Sequence, residues 1–341
     1  RDKFELTYNS NVKFTTNYLI AKKIYHSFRY DDGNILPLPH LQIDPRLWYL
    51  DIEIGMDRME PDVEKADTII TCLSIYDSYD KRYHIFIWHP HQDLSYSSEN
   101  VTVYSYKSET EMMQAFLLFN IDRDPDYYLG WNIKGFDITY IINRCRSLEL
   151  DYSVLSPLRM VSAKKWRARL DHDEKVVRDR PDLYTEYKCK IAGRQIVDLL
   201  VNYRVIFKGQ PRDSDALEYV AMRHLGRSKM KLSDTYYNVW LNSPRELLAY
   251  NLNDVHLIVD LDKSLYLHLN FEEIRDIPGF DIDTIINSNM EMGKSIFMRN
   301  ARPIPSRQLT KVGKINVVVT DVTPGVYSNV LNLDLNKLYP S

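Results

Sequence analysis

The alternation of apolar and polar positions sharpens at Leu47, where LWYLDIEI runs apolar at nearly every position to Ile54. Within it stand Asp51 and Glu53, two residues apart, so a strand here presents both carboxylates on one face and Ile52 on the other. Thr68 to Tyr76 and Tyr83 to Trp88 repeat the strand pattern around a polar turn at Asp77 to Lys81. Three strands joined by short turns predict an antiparallel meander. A further strand is predicted over Val101 to Tyr106, running into Ser108-Glu-Thr-Glu111, a capping box that opens a helix with Met112, Met113, Phe116 and Leu117 at helical spacing. Tyr127 to Gly130 then reads as a short strand, and Phe136 to Arg146 as a helix with Tyr140 and Ile141 inward. Strands followed by alternating helices and strands place the chain in the α/β class, a mixed sheet flanked by helices.

On either side of this stretch the pattern is less regular. Residues 1 to about 40 give two or three strand-like pieces, such as Val12 to Thr16, and GNILPLPH has the look of a linker. Residues 164–194 hold ten Lys or Arg against six Asp or Glu with no helical period, which suggests an exposed hairpin. GRQIVDLLVNYR reads as a helix, and Leu217, Val220, Ala221, His224 and Leu225 as another, stopped by Gly226. Ser243-Pro-Arg-Glu246 combines an N-cap, a proline at the first helical position and a capping-box glutamate, so a helix carrying Tyr250 and Asp254 begins there. Those two residues lie four apart and share one helical face. A last helix spans about 282–300 and ends at Arg302-Pro-Ile-Pro305.

Length and composition add little. A 341-residue chain buries a proper core, and its net charge of −3 predicts neither a nucleic-acid coat nor a membrane-surface protein. Cys72, Cys145 and Cys189 are odd in number and lack zinc-like spacing, so reduced thiols of a cytoplasmic protein are expected. No apolar run reaches the roughly 18 residues of a membrane span. The chain starts RDKFELTY without a methionine and stops soon after NVLNLDL, which reads as a buried strand, so a fragment is expected.

The acids change the picture most. Two carboxylates at the end of an apolar strand need ions or partners. With Asp137 in GWNIKGFD and Asp254 in YNLND they form a candidate set for two divalent ions ~3.5 to 4 Å apart, the arrangement that hydrolyses phosphodiesters. Oxygen ligands suit Mg²⁺ or Mn²⁺.

The three motifs together resemble the proofreading 3′ to 5′ exonuclease domain of family B DNA polymerases, a DEDDy nuclease with a ribonuclease H-like fold. Asp51-Ile-Glu53 is similar to the first exonuclease motif, Asn132-x-x-x-Phe136-Asp137 to the second and Tyr250-x-x-x-Asp254 to the third. The ending Asp334-Leu-Asn-Lys-Leu-Tyr339-Pro-Ser341 resembles polymerase motif A, with Lys337 where serine is usual. The resemblance implies a partial N-terminal domain over 1–44, the exonuclease domain over 45–275, and a linker with the start of the polymerase palm over 276–341.

It also implies roles. Asp51 bridges two ions, Glu53 and Asp254 complete the tighter site, Asp137 holds the second ion directly or through water, and Tyr250 orients the attacking water. Asn132 and Phe136 hold the terminal nucleotide of a single-stranded DNA 3′ end, unless Asn132 caps the helix and Phe136 belongs to the core. Asp198 reads as structural support, and residues 164–194 fall where relatives carry a strand-separating hairpin. A longer parent from a prokaryotic or phage-like source would add primed template, nucleotides and a sliding clamp as partners. This chain alone, with Asp334 and Tyr339 in an incomplete polymerase site, would digest DNA without extending it. A silenced exonuclease fold that scaffolds DNA or a replication partner is the alternative.

Overall fold

Leu47–Ile54 forms a strand buried on both faces, in different company on each. Trp48, Leu50, Ile52 and Ile54 share one core with Phe116, Tyr140 and Ile141, whereas Tyr49 on the opposite face shares another with Leu257, Ile258 and Leu261. Asp51 and Glu53 continue the Tyr49 face. The expected alternation along this strand therefore separates two cores and leaves the acids at the end of one of them.

The structure is a computed structural model that describes residues 7–8, 14–24, 27–38, 44–56, 61–165, 187–211, 213–276 and 305–306. By contact the chain divides into Lys13–Arg302 and a smaller unit of Arg1–Val12 with Pro303–Ser341. In chain order the described elements begin with β1 (Thr7–Tyr8), α1 (Phe14–Ala21), β2 (Ser27–Asp31), β3 (Asn34–Leu38), β4 (Leu47–Ile54), β5 (Ile70–Asp77), β6 (Arg82–Trp88), β7 (Tyr96–Ser97) and β8 (Val101–Tyr106). They continue with α2 (Glu109–Arg123), β9 (Tyr127–Gly130), α3 (Asp137–Ser147), β10 (Val161–Lys165), β11 (Tyr187–Ile191), β12 (Gln195–Asp198) and α4 (Leu199–Ile206). The last are α5 (Leu217–Leu225), α6 (Tyr236–Asn242), α7 (Pro244–Leu265), α8 (Leu269–Asp276) and β13 (Pro305–Ser306). In the smaller unit, β1 pairs antiparallel with β13.

The larger unit holds a seven-stranded mixed sheet in the order β12-β9-β4-β5-β6-β8-β7. β4, β5 and β6 form the antiparallel meander, while β9 and β12 add in parallel beside β4. Helices α2 and α3 pack on one face, and α5, α6 and α7 on the other. This is a mixed α/β sheet flanked by helices, as a ribonuclease H-like exonuclease fold requires.

Helix α7 runs 22 residues and is fixed to β4 at more than one point. The Tyr49 hydroxyl donates to Asp262 Oδ2 at 2.6 Å, and the same carboxylate takes His268 Nδ1 at 2.5 Å and the His268 backbone N–H at 2.9 Å. Every partner is buried, so the network fixes the helix along the strand two residues before Asp51. On the other side of the sheet, Glu109 accepts from Ile70 N–H and from Arg144, which ties the starts of α2 and β5 to α3. Gly130 ends β9 against β4, where a Cβ would meet the Leu50 carbonyl oxygen at 2.8 Å. Backbone cannot yield as a side chain can. Gly130→Ala is therefore expected to destabilise by about 1–3 kcal/mol, read as a lower urea midpoint with unchanged slope.

Several sequence expectations need correction. GRQIVDLLVNYR is not one helix: Gln195–Asp198 is a strand parallel to β9, and α4 starts only at Leu199 with Asp198 as its N-cap. Its short apolar run fits either period, and pairing with β9 decides it. Of the strand-like piece expected over Val12 to Thr16, Phe14 to Thr16 are helical, and Val12 and Lys13 lie outside the described residues. GNILPLPH contributes β3, paired with β2 through Asp32-Gly33, whose φ values of 43° and 78° suit the tight hairpin turn that the Asp-Gly pair favours. The Ser108 capping box forms with its return bond displaced, since Glu111 accepts from Lys107 N–H.

At Ser243 the helix begins as expected, but without a side-chain cap. Ser243 also terminates α6, and Glu246 reaches instead to the Ser233 backbone and hydroxyl, at 2.6 and 2.7 Å. β10 and β11 pair antiparallel, giving the 164–194 segment the arms of a hairpin, and residues 166–186 between them lie outside the described residues. So do the helix expected over 282–300 and the segment with Asp334 and Tyr339. All three cysteines are buried and none is in a disulfide, and no described helix is long and apolar enough to cross a membrane.

Candidate active site

Strand β4 and helix α7 bring the first and third acidic motifs together. Carboxylate oxygens of Asp51, Glu53 and Asp254 all lie within 4.8 Å of one another, with Glu53 and Asp254 buried and Asp51 half-buried. Asp137, in the first turn of α3, stands beside this group, and its Oδ1 accepts the Ile52 N–H at 3.2 Å. One backbone amide thus links the second motif to the residue between Asp51 and Glu53.

Four carboxylates this close repel one another, and burial removes the water that would screen them. Burial pushes Asp51 well above the usual carboxylate range, with Asp137 and Glu53 adding to the effect. It raises Glu53 likewise, with Asp254 adding. Asp137 is pushed up to about 7 by burial, even though its own N–H and that of Ile52 favour the anion. A bound cation would reverse this preference, so protons and divalent ions compete for the same oxygens.

Lys229, in the connection between α5 and α6, is a cation the sequence pattern does not reveal. Its Nζ lies 2.5 Å from Asp254 Oδ2 and 3.5 Å from the Tyr250 hydroxyl, with the side chain about a quarter exposed (28%). Burial works against its charge, but Asp254 and Asp51 outweigh that and raise its pKa. Asp254 is nevertheless raised by burial, because one ammonium answers only part of the demand. Its Oδ2 meets Lys229 as an ion pair without directional hydrogen bonding, and its Oδ1 is buried with no donor among the described residues. A buried orphan oxygen beside two more carboxylates is a hard ligand, so the residues present fit a divalent cation such as Mg²⁺ or Mn²⁺.

Tyr250 sits one helical turn before Asp254, buried, with its hydroxyl 3.1 Å from that of Tyr236 on α6. Burial, Asp254 and Glu53 raise its pKa, so it is a neutral phenol that can donate or accept. Asn251, the next residue, donates from Nδ2 to Asp51 Oδ2 at 2.6 Å. Like Lys229 and Tyr236, it escapes motif reading, though a polar residue on the buried stripe of an amphipathic helix is a local signal that could have found it.

Asn132 and Phe136 are not in the carboxylate group. Asn132 has φ 63° and packs its amide over Gly135, where a Cβ would come within 2.3 Å of Oδ1, so a larger residue there would displace the Asn132 side chain. It does not cap α3, whose N-cap position is Phe136. Asn132 lines an open cleft of about 520 Å³ with Trp131, Arg204 and Asp213 to Ala216. The Phe136 ring is half-buried against the core, 5.6 Å from that of Tyr140. Asp198 accepts from Lys134 N–H and Val201 N–H, at 3.1 and 3.4 Å, the bonding of a structural support.

A second acidic group, Asp77, Asp80 and His84, is of a different kind. Arg46 engages both Asp77 oxygens and Trp48 Nε1 donates at 2.9 Å, while Arg123 pairs with Asp80. Burial alone would raise Asp77, but Arg46, Tyr79 N–H and Trp48 hold it below the ordinary range. Its charge is matched within the protein.

Comparison with known proteins agrees with the geometry. Residues 29–208, more than half of the chain, match the description "DNA polymerase family B, exonuclease domain". The chain is 23% identical to a DNA-directed DNA polymerase of Escherichia phage RB69 over 374 aligned positions, covering all of this chain and 37% of that protein. It is 23% identical to the DNA-directed DNA polymerase of Enterobacteria phage T4, covering 85% of this chain and 34% of the polymerase. The DNA polymerase delta catalytic subunit of Dictyostelium discoideum is 24% identical, over 70% of this chain and 22% of the subunit. The chain thus spans little more than a third, at most, of the length of these relatives. With the acids of β4 and α7 converging on one face of the matched sheet, the chain belongs to the family B DNA polymerases and carries their exonuclease domain.

Proposed function

We propose that this chain removes nucleotides one at a time from the 3′ end of DNA, using Asp51, Glu53, Asp137 and Asp254 to hold two Mg²⁺ or Mn²⁺ ions. The observation that carries the reading is the convergence of the Asp51, Glu53 and Asp254 carboxylates beside the orphan oxygen of Asp254. When bound, such ions supply charge compensation at the phosphorus and make water a nucleophile at neutral pH. The protein's own groups do the rest. Asp51 and Glu53, fixed on one face of a buried strand, and Asp254, fixed on a helix tied to that strand, present rigid ligands. Asp137 is aimed by the Ile52 N–H and serves the outer position.

Tyr250 remains a neutral phenol at working pH and orients the attacking water, with Tyr236 fixing the direction of its hydroxyl. Lys229 stands where an ammonium can bond a non-bridging phosphate oxygen, offsetting charge that builds up in the transition state. Asn132, at the rim of the cleft, and Phe136, with a half-exposed ring, contact the terminal nucleotide, and base–aromatic stacking contributes ~1 to 3 kcal/mol. We place the nuclease unit at residues 45–275 and read the remainder as parts of a longer polymerase. Asp334 and Tyr339 would serve that polymerase, whose primed template, nucleotides and sliding clamp belong to the same proposal.

Direction of attack tests the reading. A single strand with phosphorothioate linkages at its 3′ end should resist digestion, while the same block at the 5′ end should leave the rate unchanged. Protection by the 5′ block alone would refute a 3′ to 5′ enzyme. Single strands should also be digested faster than blunt duplex, which must fray before an end reaches the acids.

A further inference from the structure

We propose that Asn251 is a positioning residue of the nuclease centre: its side-chain amide holds Asp51 in the geometry a divalent ion requires, and the Cys72 thiol fixes which way that amide faces. Asn251 is fully buried on α7, between Tyr250 and Asp254 on the face that meets β4. A buried primary amide left unpaired costs about 1–3 kcal/mol, and here both of its ends are matched. Nδ2 donates to Asp51 Oδ2 at 2.6 Å, and Glu53 stands two residues further along the same strand. The Oδ1 atom accepts from Cys72 Sγ at 3.4 Å.

Cys72 is opposite Glu53 in the β4–β5 ladder and fully buried. Its donor is what distinguishes the two ways the amide can face. With the thiol on Oδ1, the amide nitrogen faces Asp51; rotated by half a turn, Oδ1 would face the Asp51 carboxylate and the two acceptors would repel. The amide carries no charge, so unlike Lys229 it steadies Asp51 without opposing a cation. The Asp51 carboxylate also keeps lone pairs for a ligand bond. Hydrogen-bond partners behind metal ligands typically contribute ~10 to 100-fold in affinity.

This inference rests on reading the acids as a metal centre, and the experiment separates the two. Mn²⁺ is titrated calorimetrically into the full chain and into Asn251→Leu, Cys72→Ala and Cys72→Ser, with circular dichroism to establish folding. Leucine keeps the branched shape of asparagine and removes its donors, so Mn²⁺ binding should weaken ~10 to 100-fold while the folded signal persists. Cys72→Ala should weaken binding several-fold, and Cys72→Ser, which retains a donor, should recover most of the loss. If the wild-type chain binds no Mn²⁺, the metal-centre reading fails. If it binds Mn²⁺ and Asn251→Leu binds within about twofold of it, the positioning role fails while the centre stands. Should Asn251→Leu not fold, the cysteine pair decides, and equal affinities for alanine, serine and wild type would overturn the proposal.

Discussion

Asp254→Ala is expected to bring exonuclease activity to near background, whereas Tyr250→Phe should leave a slowed but measurable enzyme. The two side chains share one face of α7, one turn apart, yet they do different things. Asp254 is buried, with a carboxylate oxygen within 4.8 Å of those of Asp51 and Glu53, and with one oxygen that no donor among the described residues satisfies. Its loss removes a charged ligand, so water activation and charge compensation fail together. Removing the Tyr250 hydroxyl keeps the ring and its edge-on packing against Tyr236, and would delete the hydrogen bond proposed to orient the attacking water. For such a group ~10² to 10⁴-fold is the range known for general acid–base residues. Single-turnover rates and Mn²⁺ titrations on both variants check this. Metal affinity should fall for Asp254→Ala and stay near wild type for Tyr250→Phe; a tyrosine variant that loses metal as badly as the aspartate variant would overturn the assignment.

Lys229→Met should separate rate from metal affinity in the opposite sense. The ammonium is paired with Asp254 and reaches toward Tyr250, and one side of it is open to solvent. Replacing it by an uncharged chain of similar length removes an electrostatic partner of the transition state, a loss of ~10² to 10³-fold in rate by analogy with other single stabilising donors. The same change frees Asp254 from its ion pair, so Mn²⁺ should bind as tightly as before or more tightly. Rates at saturating Mn²⁺ with the affinity measured alongside would decide. An unchanged rate, or lost metal binding, would show that the lysine is a structural counter-ion only.

The parts of the fold that were legible in the sequence are those where local period and tertiary demand agree. The strand Leu47–Ile54 is such a case, because its alternation suits burial on two faces. The start of α7 is another, though for a partly different reason: Pro244 marks it correctly, while the expected capping bonds give way to a contact with Ser233. Gln195–Asp198 was not legible, since Ile196 and Val197 are as compatible with a helical stripe as with a strand, and only the parallel partner β9 settles the matter. Asp32-Gly33 was legible in principle, as a turn signal between two weak strands.

The candidate site divides the same way. Asp51 and Glu53 share a motif, Tyr250 and Asp254 share another, and spacing alone puts each pair on one face. Lys229 has no such neighbour. It comes from an irregular connection, and nothing in RSKMKLSD signals that one of its lysines folds against Asp254 on helix α7. Tyr236 is hidden in the same way among 25 tyrosines.

The central claim, that these acids form a metal-dependent 3′ exonuclease, is tested most directly by a 5′-labelled single-stranded oligonucleotide incubated with the folded chain. In Mg²⁺ or Mn²⁺ the label should move into a ladder of strands shortened one nucleotide at a time, and in chelator it should stay at full length. Full-length label in both metals, or a ladder that persists undiminished in chelator, would contradict the account.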